Sequence, residues 1–353
     1  MRRASQRARM RTAFAVVVVA VLGATGTETQ GTPAAKPAAG RDAAQAKPQS
    51  AKPVIAGRPG TRPSTKLPWG DPDLQGNYSI ISEANTPLER PDEFAGRRIE
   101  DFTPEEMARL SKERTARALV EYNGQPEPGW FDHVIPNLNS RPWLLFDPPD
   151  GRIPPLTAEG RARARVQEPT DPASYADMPQ FVRCITTGPP IAQAVPTIYG
   201  NSFQILQTKD YVVIRHEMIH ERRLIPIEGR GASRGHHPPA LRSYFGDALA
   251  RWEGETLVVD STNYRPELTF RESRGGRLHT IERFTRTGPK QVEWKITVDD
   301  PATWTRPWSF AIPMTEDDDQ AIVEYTCHET NLALRNVLSG ARNKEKAAAG
   351  TAK

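Results

Sequence analysis

From residue 203 onward, the sequence alternates short apolar or β-branched segments with tight-turn signals, without segments of helical spacing between them. In the clearest segment, Val292, Trp294 and Ile296 alternate with charged or polar neighbours, which gives a strand one buried face and one solvated face. Turns typical of hairpins occur at Gly254 and at residues 288–290. This pattern predicts a mainly β fold, an antiparallel meander closed as a lipocalin-like barrel or folded as a sandwich. Strands are predicted at residues 211–214, 224–227, 279–287, 291–299, 307–313 and 321–329, with two more within residues 251–259 around a Glu-Gly turn.

The chain before these strands has a different pattern. A short strand is predicted within residues 69–81, and the capping-box sequence that begins at Thr103 predicts a helix to about Tyr122. Residues 124–156 are rich in proline and aromatic side chains, which favours irregular structure, and a second short helix is expected at residues 157–166. The β domain should therefore carry a helical and Pro-rich irregular N-terminal portion.

The two ends of the chain differ in composition from its middle. Residues 1–26 combine five arginines, an apolar run and a final group of small residues, as in a cleavage site. This pattern is typical of a cleaved signal peptide, and the alternative is an uncleaved membrane anchor. The Ala/Pro/Lys-rich residues 27–66 predict a disordered spacer. A single β-rich domain is expected at residues 67–340, with a last helix near residues 331–338 and a flexible tail or frayed helix end at residues 341–353. We expect an exported protein, periplasmic or extracellular, without a stable membrane span after signal cleavage.

The distribution of charge bears on the partners that the domain can have. The net charge is +4, of which residues 1–26 and residues 27–66 each contribute +5, leaving −6 for residues 67–353. A nucleic-acid-binding domain needs a concentrated basic patch. The short basic clusters at residues 161–165 and 222–223 lack interleaved aromatic residues. The sequence therefore argues against nucleic acid as a partner and leaves a small molecule of unknown identity.

Several short motifs resemble those of a family of exported, strand-rich bacterial proteins of unassigned function. They lie at residues 183–204, at Glu217-Met218-Ile219-His220, at residues 252–260 (WEGETLVVD), 282–286 (ERFTR) and 298–301 (VDDP), and at residues 324–329 with Cys327-His328-Glu329. The resemblance covers roughly residues 67–342. It implies an exported, single-domain, strand-rich protein, and it implies no activity.

The sequence His216-Glu217-Met218-Ile219-His220 has the H-E-x-x-H form that binds zinc when it lies on a helix. The flanking segments are strand-like, however, and two histidines four residues apart on a strand lie about 13 Å from each other. We therefore predict no cofactor and retain zinc as the alternative. Glu217 and His220, together with His328 and Glu329, remain candidates for acid–base chemistry.

Cys184 and Cys327 are the two cysteines of the chain. In an exported protein they encounter an oxidising compartment, which favours a disulfide between them. The alternative is a catalytic thiol at Cys327 beside His328, but adjacent residues on a strand face opposite sides.

Candidate ligand contacts are the aromatic and basic side chains Trp252, Arg283, Trp304 and Trp308, for which core packing is the alternative. The glycine-rich loop at residues 229–235, followed by His236 and His237, could gate a cavity or bind an anion, or be an ordinary surface loop. The favoured hypothesis for function is binding of a small, largely apolar molecule in or beside a β-barrel. The alternatives are a hydrolase or lyase that uses Glu217 and His220 with His328 and Glu329, and a structural or interaction module.

Overall fold

The computed structural model describes residues 66–121, 140–164, 172–197, 199–231, 235–317 and 322–351. The predicted signal peptide and nearly all of the predicted spacer lie outside the described residues, as does the part of the Pro-rich segment at residues 122–139. The α-helices are α1 (Pro104–Glu121), α2 (Ala158–Ala164) and α3 (Ala333–Thr351), and short 3-10 turns occur between the elements. The strands are β1 (Gly76–Ser79), β2 (Leu145–Asp147), β3 (Ser202–Gln207), β4 (Tyr211–His216), β5 (Arg222–Pro226), β6 (Asp247–Glu253), β7 (Thr256–Thr262), β8 (Thr269–Phe270), β9 (Ser273–Arg274), β10 (His279–Gly288), β11 (Gln291–Asp299) and β12 (Trp308–Glu316).

Nine strands form a nearly closed antiparallel barrel in the order β5-β4-β3-β1-β12-β11-β10-β7-β6. The ring closes between β5 and β6 through a parallel bridge between Ile227 and Ala250, and the backbone N–H of Glu228 donates to the Ala250 carbonyl at 2.7 Å. We call this junction the seam. Followed from β1, the strands of the ring succeed one another in chain order. The predicted antiparallel meander is confirmed, and it takes the barrel form.

The lumen of the barrel is occupied by side chains. Alternate residues of each strand point inward, as predicted for β11, where Val292, Trp294, Ile296 and Val298 are all buried. Trp294 stacks on Phe284 of β10 with ring centroids 5.3 Å apart and meets Phe203 of β3 edge-on at 5.5 Å. Aromatic rings from three strands therefore meet inside the ring and form a packed core, as small barrels require.

A buried ion pair crosses the lumen near the seam. Arg223 of β5 donates from Nη1 to Oε1 of Glu282 at 2.6 Å and from Nη2 to Oε2 at 2.9 Å. The two side chains are only 7% and 0% exposed. Strands β6 and β7 lie between β5 and β10 in the ring, and in the register Val259 of β7 stands opposite Glu282. Burial alone would lower the pKa of Arg223, but the charge of Glu282 and its hydrogen bonds raise it.

The C-terminal part differs from the sequence prediction at two points. The strand predicted at residues 321–329 is wrong, because residues 322–326 have no regular structure and a turn follows at residues 327–330. The physical reason is that β12 is already paired with β1, β2 and β11, so the ring offers this segment no free edge beside β12. The segment is held instead by the predicted disulfide, which is confirmed: Cys184 and Cys327 are bonded, with Cα atoms 5.7 Å apart.

The predicted tail also requires correction, because α3 continues through residues 341–351. These residues are mainly alanine, lysine and glutamate, which are strong helix formers. Ala341 is buried, and Arg342 donates to the carbonyls of Ala173 at 2.8 Å and Pro172 at 3.2 Å. Among the helices of the described residues, none is long and apolar enough to cross a membrane.

The structure predicts that Glu282→Gln strongly destabilises the barrel. The change leaves the Arg223 cation buried without its counter-charge, which costs about 3–5 kcal/mol of unfolding free energy. Urea unfolding of the two proteins measures the difference. The control is Glu253→Gln, which removes the partner of Arg283 (2.7 Å) in a solvent-exposed ion pair between β6 and β10 and should change stability little. Equal effects of the two substitutions would contradict the role given to the pair.

Candidate functional site

The four candidates for acid–base chemistry do not form one hydrogen-bonded group. Glu217 forms part of the turn between β4 and β5, where its carboxylate accepts from the backbone N–H of Ser202 at 3.3 Å. His220 Nδ1 lies 3.0 Å from the carbonyl oxygen of Tyr325, while His328 and Glu329 are exposed. Among the contacts of the described residues, none joins the side chains of the first pair to those of the second. The contacts shown by Glu217 and His220 fasten the turn to its neighbours.

The H-E-x-x-H motif lies across the end of β4 and a short 3-10 turn at Met218–His220, not on an α-helix. His216 is the last residue of β4 and is buried inside the barrel, with its ring 4.6 Å from that of Phe203. Burial lowers the pKa of His216 to about 3, so the imidazole is neutral at ordinary pH. The motif's second histidine lies in the turn beyond the strand. No group of three or more His, Cys, Asp or Glu side chains among the described residues is arranged to hold a metal ion.

A neighbouring carboxylate has the more unusual environment. Glu221 is buried, accepts from the backbone N–H of Thr187 at 2.7 Å, and also bonds to the Gln193 amide. Burial raises the pKa of Glu221 to about 7. Its contacts join residues 187–193 to the β4–β5 turn, and a carboxyl that titrates near neutrality could exchange a proton there.

The four candidate ligand contacts do not line one surface. Trp304 and Trp308 are buried and pack edge-on with ring centroids 5.5 Å apart. Their environment matches core packing, which was the alternative to ligand contact. Trp252 is half-buried on β6, and Arg283 lies on the outer face in an ion pair with Glu253. The pattern of aromatic residues in strands therefore indicates the core of this barrel, not a shared binding surface.

A cleft of about 640 Å³ lies outside the barrel, between α1 and the irregular segment before it. Helix α1 begins at the predicted capping box, in which the backbone N–H of Glu106 donates to Thr103 Oγ1 at 3.2 Å and the N–H of Thr103 donates to Glu106 Oε2 at 3.0 Å. The lining combines apolar and charged side chains: Asn85, Pro87, Pro91, Asp92, Glu93, Phe94, Arg97, Phe102, Glu106, Arg109, Leu110, Glu113, Arg114 and Arg117. We call this space the α1 cleft.

One wall of the α1 cleft is aromatic. Phe94 and Phe102 meet edge-on at 5.0 Å, and both contact the buried Trp143, with centroid distances of 6.1 and 5.7 Å. The guanidinium of Arg97 lies 3.7 Å from the centre of the Phe102 ring. Since these rings support one another, the wall presents a fixed apolar surface to the cleft.

The buried charge in the α1 cleft is Arg114. This side chain is only 7% exposed, and its guanidinium donates to the carbonyls of Arg141 (3.2 Å) and Pro142. Burial lowers the pKa of Arg114 to about 10, so it still carries its positive charge at neutral pH. The arrangement can therefore offer a permanent cation beside an apolar wall.

A second polar cluster lies on the outer face of β6, β7 and β10. His236 places Nδ1 at 3.2 Å from Asp247 Oδ2 and Nε2 at 3.2 Å from Asp260 Oδ1, and His279 Nε2 lies 2.9 Å from the same Asp260 oxygen. A neutral imidazole has one N–H, so His236 can donate to both carboxylates only when it is protonated. His237 bonds Asp247 as well, at 2.9 Å. These contacts dock the connection between β5 and β6 on the barrel.

Sequence reasoning missed the α1 cleft, and of this cluster it named only His236 and His237, as part of a loop that could gate a cavity, bind an anion or be an ordinary surface loop. The signal for the cleft was present on α1, where Glu106, Leu110, Glu113 and Arg117 recur at three- and four-residue spacing and so share a face. Nothing in the sequence showed that Phe94, Phe102 and the later Trp143 would meet this face. The cluster has no local signal, because its residues come from three strands and a loop.

Comparison with known proteins adds little to the geometry. No family model and no curated protein matches the chain. Two solved structures align with part of it: a secretary abundant heat soluble protein from Ramazzottius varieornatus, with 9% identity and a TM-score of 0.21, and a substituted variant of the fluorescent protein UnaG, with 12% identity and a TM-score of 0.22. Each alignment covers 39% of this chain and 86% of the other. At this level of similarity neither structure supports a functional argument.

The structure predicts a pH-dependent contribution to stability from Asp260 and His279. Their hydrogen bond lowers the pKa of Asp260 and raises that of His279. The aspartate contribution is present above its ordinary pKa, and the histidine contribution is present below its ordinary pKa and is lost as pH rises through the raised value. The pair should therefore stabilise the fold most between about pH 4 and 6.5.

His279→Gln should lower the unfolding free energy at about pH 5.5 by up to ~1 kcal/mol, a small amount because the histidine is 37% exposed. At pH 8.5 the loss should be smaller. Urea unfolding at both pH values tests this, with Gln291→Ala, a change in the β10–β11 hairpin away from the cluster, as the pH-independent control. A loss that is larger at the alkaline pH contradicts the assignment.

Proposed function

We propose that the protein binds a small molecule and that its binding site is the α1 cleft beside the barrel. The supporting observation is an open space of about 640 Å³ with a supported aromatic wall and a buried cation. Small-molecule sites typically have 300–1,000 Å³ and combine apolar walls with a few fixed polar groups.

The packing of the lumen supports the position outside the ring. Phe203, Phe284 and Trp294 fill the centre, and Arg223 with Glu282 occupies the region near the seam. A ligand inside the barrel would have to displace these side chains, whereas the cleft is already open. The sequence left open whether the ligand binds inside the barrel or beside it, and we propose binding beside it.

Export is part of the proposal. The Cys184–Cys327 disulfide supports it, because such bonds persist mainly in oxidising compartments. Membership in a family of exported, strand-rich bacterial proteins remains a proposal that rests on the sequence motifs. Cell fractionation tests the location: export predicts an oxidised, N-terminally shortened protein outside the cytoplasm, and a full-length, reduced protein in the cytoplasm contradicts it.

The binding proposal is tested by filling the α1 cleft. Leu110 lines the cleft from α1, so Leu110→Trp should take up part of its volume. Titration with the fluorescent probe anilinonaphthalene sulfonate should show binding to the wild type and a dissociation constant raised about tenfold or more in the variant, which corresponds to about 1.4 kcal/mol.

The matched control is Leu241→Trp, the same exchange at an exposed position in the β5–β6 connection. It should leave probe binding unchanged. Circular dichroism and thermal unfolding confirm that each protein is folded before titration. Absence of binding to the wild type, or equal affinities for the wild type and Leu110→Trp, contradicts the α1 cleft as the site.

A further inference from the structure

We propose that the ligand of the α1 cleft is a small organic anion, a carboxylate on an apolar body, and that Arg114 is its charged partner. This inference rests on the proposed function. It is carried by the position of one buried cation in a cleft whose other charges are mostly paired.

Arg114 has hydrogen-bond acceptors in the protein but no bonded counter-charge. The carbonyls of Arg141 and Pro142 accept from its guanidinium, yet a carbonyl is neutral and leaves the positive charge in place. Among the ion pairs of the described residues, none includes Arg114. A buried cation without a bonded anion is unfavourable, and an incoming carboxylate would relieve that cost.

The nearest carboxylates do not fill this role. Glu83 attracts Arg114 electrostatically, but its oxygens are occupied by the backbone N–H of Ser140 at 2.8 Å and the hydroxyl of Thr86 at 2.9 Å. Burial also raises the pKa of Glu83. Glu93 lines the cleft and attracts Arg114 electrostatically, but no described hydrogen bond joins the two side chains.

The remaining acids that line the α1 cleft have arginine partners. Glu106 pairs with Arg97 at 2.9 Å, Glu113 pairs with Arg109 at 3.7 Å, and Asp92 pairs with Arg152 outside the lining. Three charged residues of the lining then take part in none of the described ion pairs: the cations Arg114 and Arg117 and the anion Glu93. The unpaired charge of the lining is therefore positive, which favours an anion over a cation.

The aromatic wall accounts for the rest of the ligand. Phe94 and Phe102 are held by each other and by Trp143, so they offer apolar surface with little loss of side-chain freedom on binding. A molecule with a carboxylate at one end and a ring or short chain at the other matches a cleft that has a buried cation and a fixed apolar wall. The volume of about 640 Å³ admits a body of two fused rings.

Calorimetric titration of the full chain with naphthoate and with its neutral analogue naphthamide tests this inference. The two probes share the apolar body and differ in charge. The wild type should bind naphthoate about tenfold more tightly or better, as expected for a hydrogen-bonded charge pair. Arg114→Met should remove this preference and leave naphthamide affinity almost unchanged, while Arg114→Lys should keep part of the preference.

Arg251→Gln, at an arginine on β6 outside the cleft that pairs with Glu253, is the matched control and should keep the preference for naphthoate. If Arg114→Met does not fold, the wild type and Arg114→Lys decide the question. Equal wild-type affinities for the two probes overturn the inference but leave the proposed function intact. A preference that survives Arg114→Met also overturns it. Binding of neither probe, nor of anilinonaphthalene sulfonate, contradicts the proposed function itself.

Discussion

The buried pair of Arg223 and Glu282 constrains the closed barrel, because neither partner can be removed without leaving a buried charge or its empty place in the lumen. Nine strands arranged in chain order would form a simple antiparallel ring, except that β5 and β6 run parallel at the seam. Backbone bonding there is confined to the contacts around Ile227 and Ala250, so the seam is the weakest junction of the ring. A bidentate, desolvated ion pair from β5 across to β10 joins the two sides of the seam through the lumen. Such a pair is favourable only while both partners are present.

The ion pair and the aromatic core together place the candidate site outside the barrel. Since the lumen is filled by Phe203, Phe284 and Trp294 on one side and by the ion pair on the other, the barrel acts as a scaffold. Its surface carries three attached parts: the α1 segment, the β5–β6 connection docked through His236, and the C-terminal segment held by the Cys184–Cys327 disulfide. Among the described residues, the first of these lines a space with both an apolar wall and a buried charge.

Much of the fold could be predicted because its determinants are local. The alternation at residues 291–299 requires only neighbouring residues on one strand, and the Thr103–Glu106 capping box requires only one helical turn. The disulfide was predicted from the two cysteines and the expectation of export to an oxidising compartment. The strand predicted at residues 321–329 was wrong because local β propensity does not show whether an edge is free to receive a strand.

The site could not be predicted in the same way, because its residues acquire their properties from distant contacts. Arg114 becomes a buried cation only when the carbonyls of Arg141 and Pro142 lie against α1. The sequence retained zinc binding by His216 only as an alternative, and the position of His216 on the inward face of β4 makes it a neutral core residue. In both cases burial, which the sequence pattern does not specify, determines the chemistry of the side chain.

The central claim is that the α1 cleft, not the lumen, receives the ligand. The most direct measurement is a crystal structure of the protein with iodobenzoate bound, with the iodine located from its anomalous scattering. The account predicts one iodine position against Phe94 and Phe102 and the carboxylate within hydrogen-bond distance of the Arg114 guanidinium. Iodine inside the ring, beside Phe203 and Trp294, would contradict it.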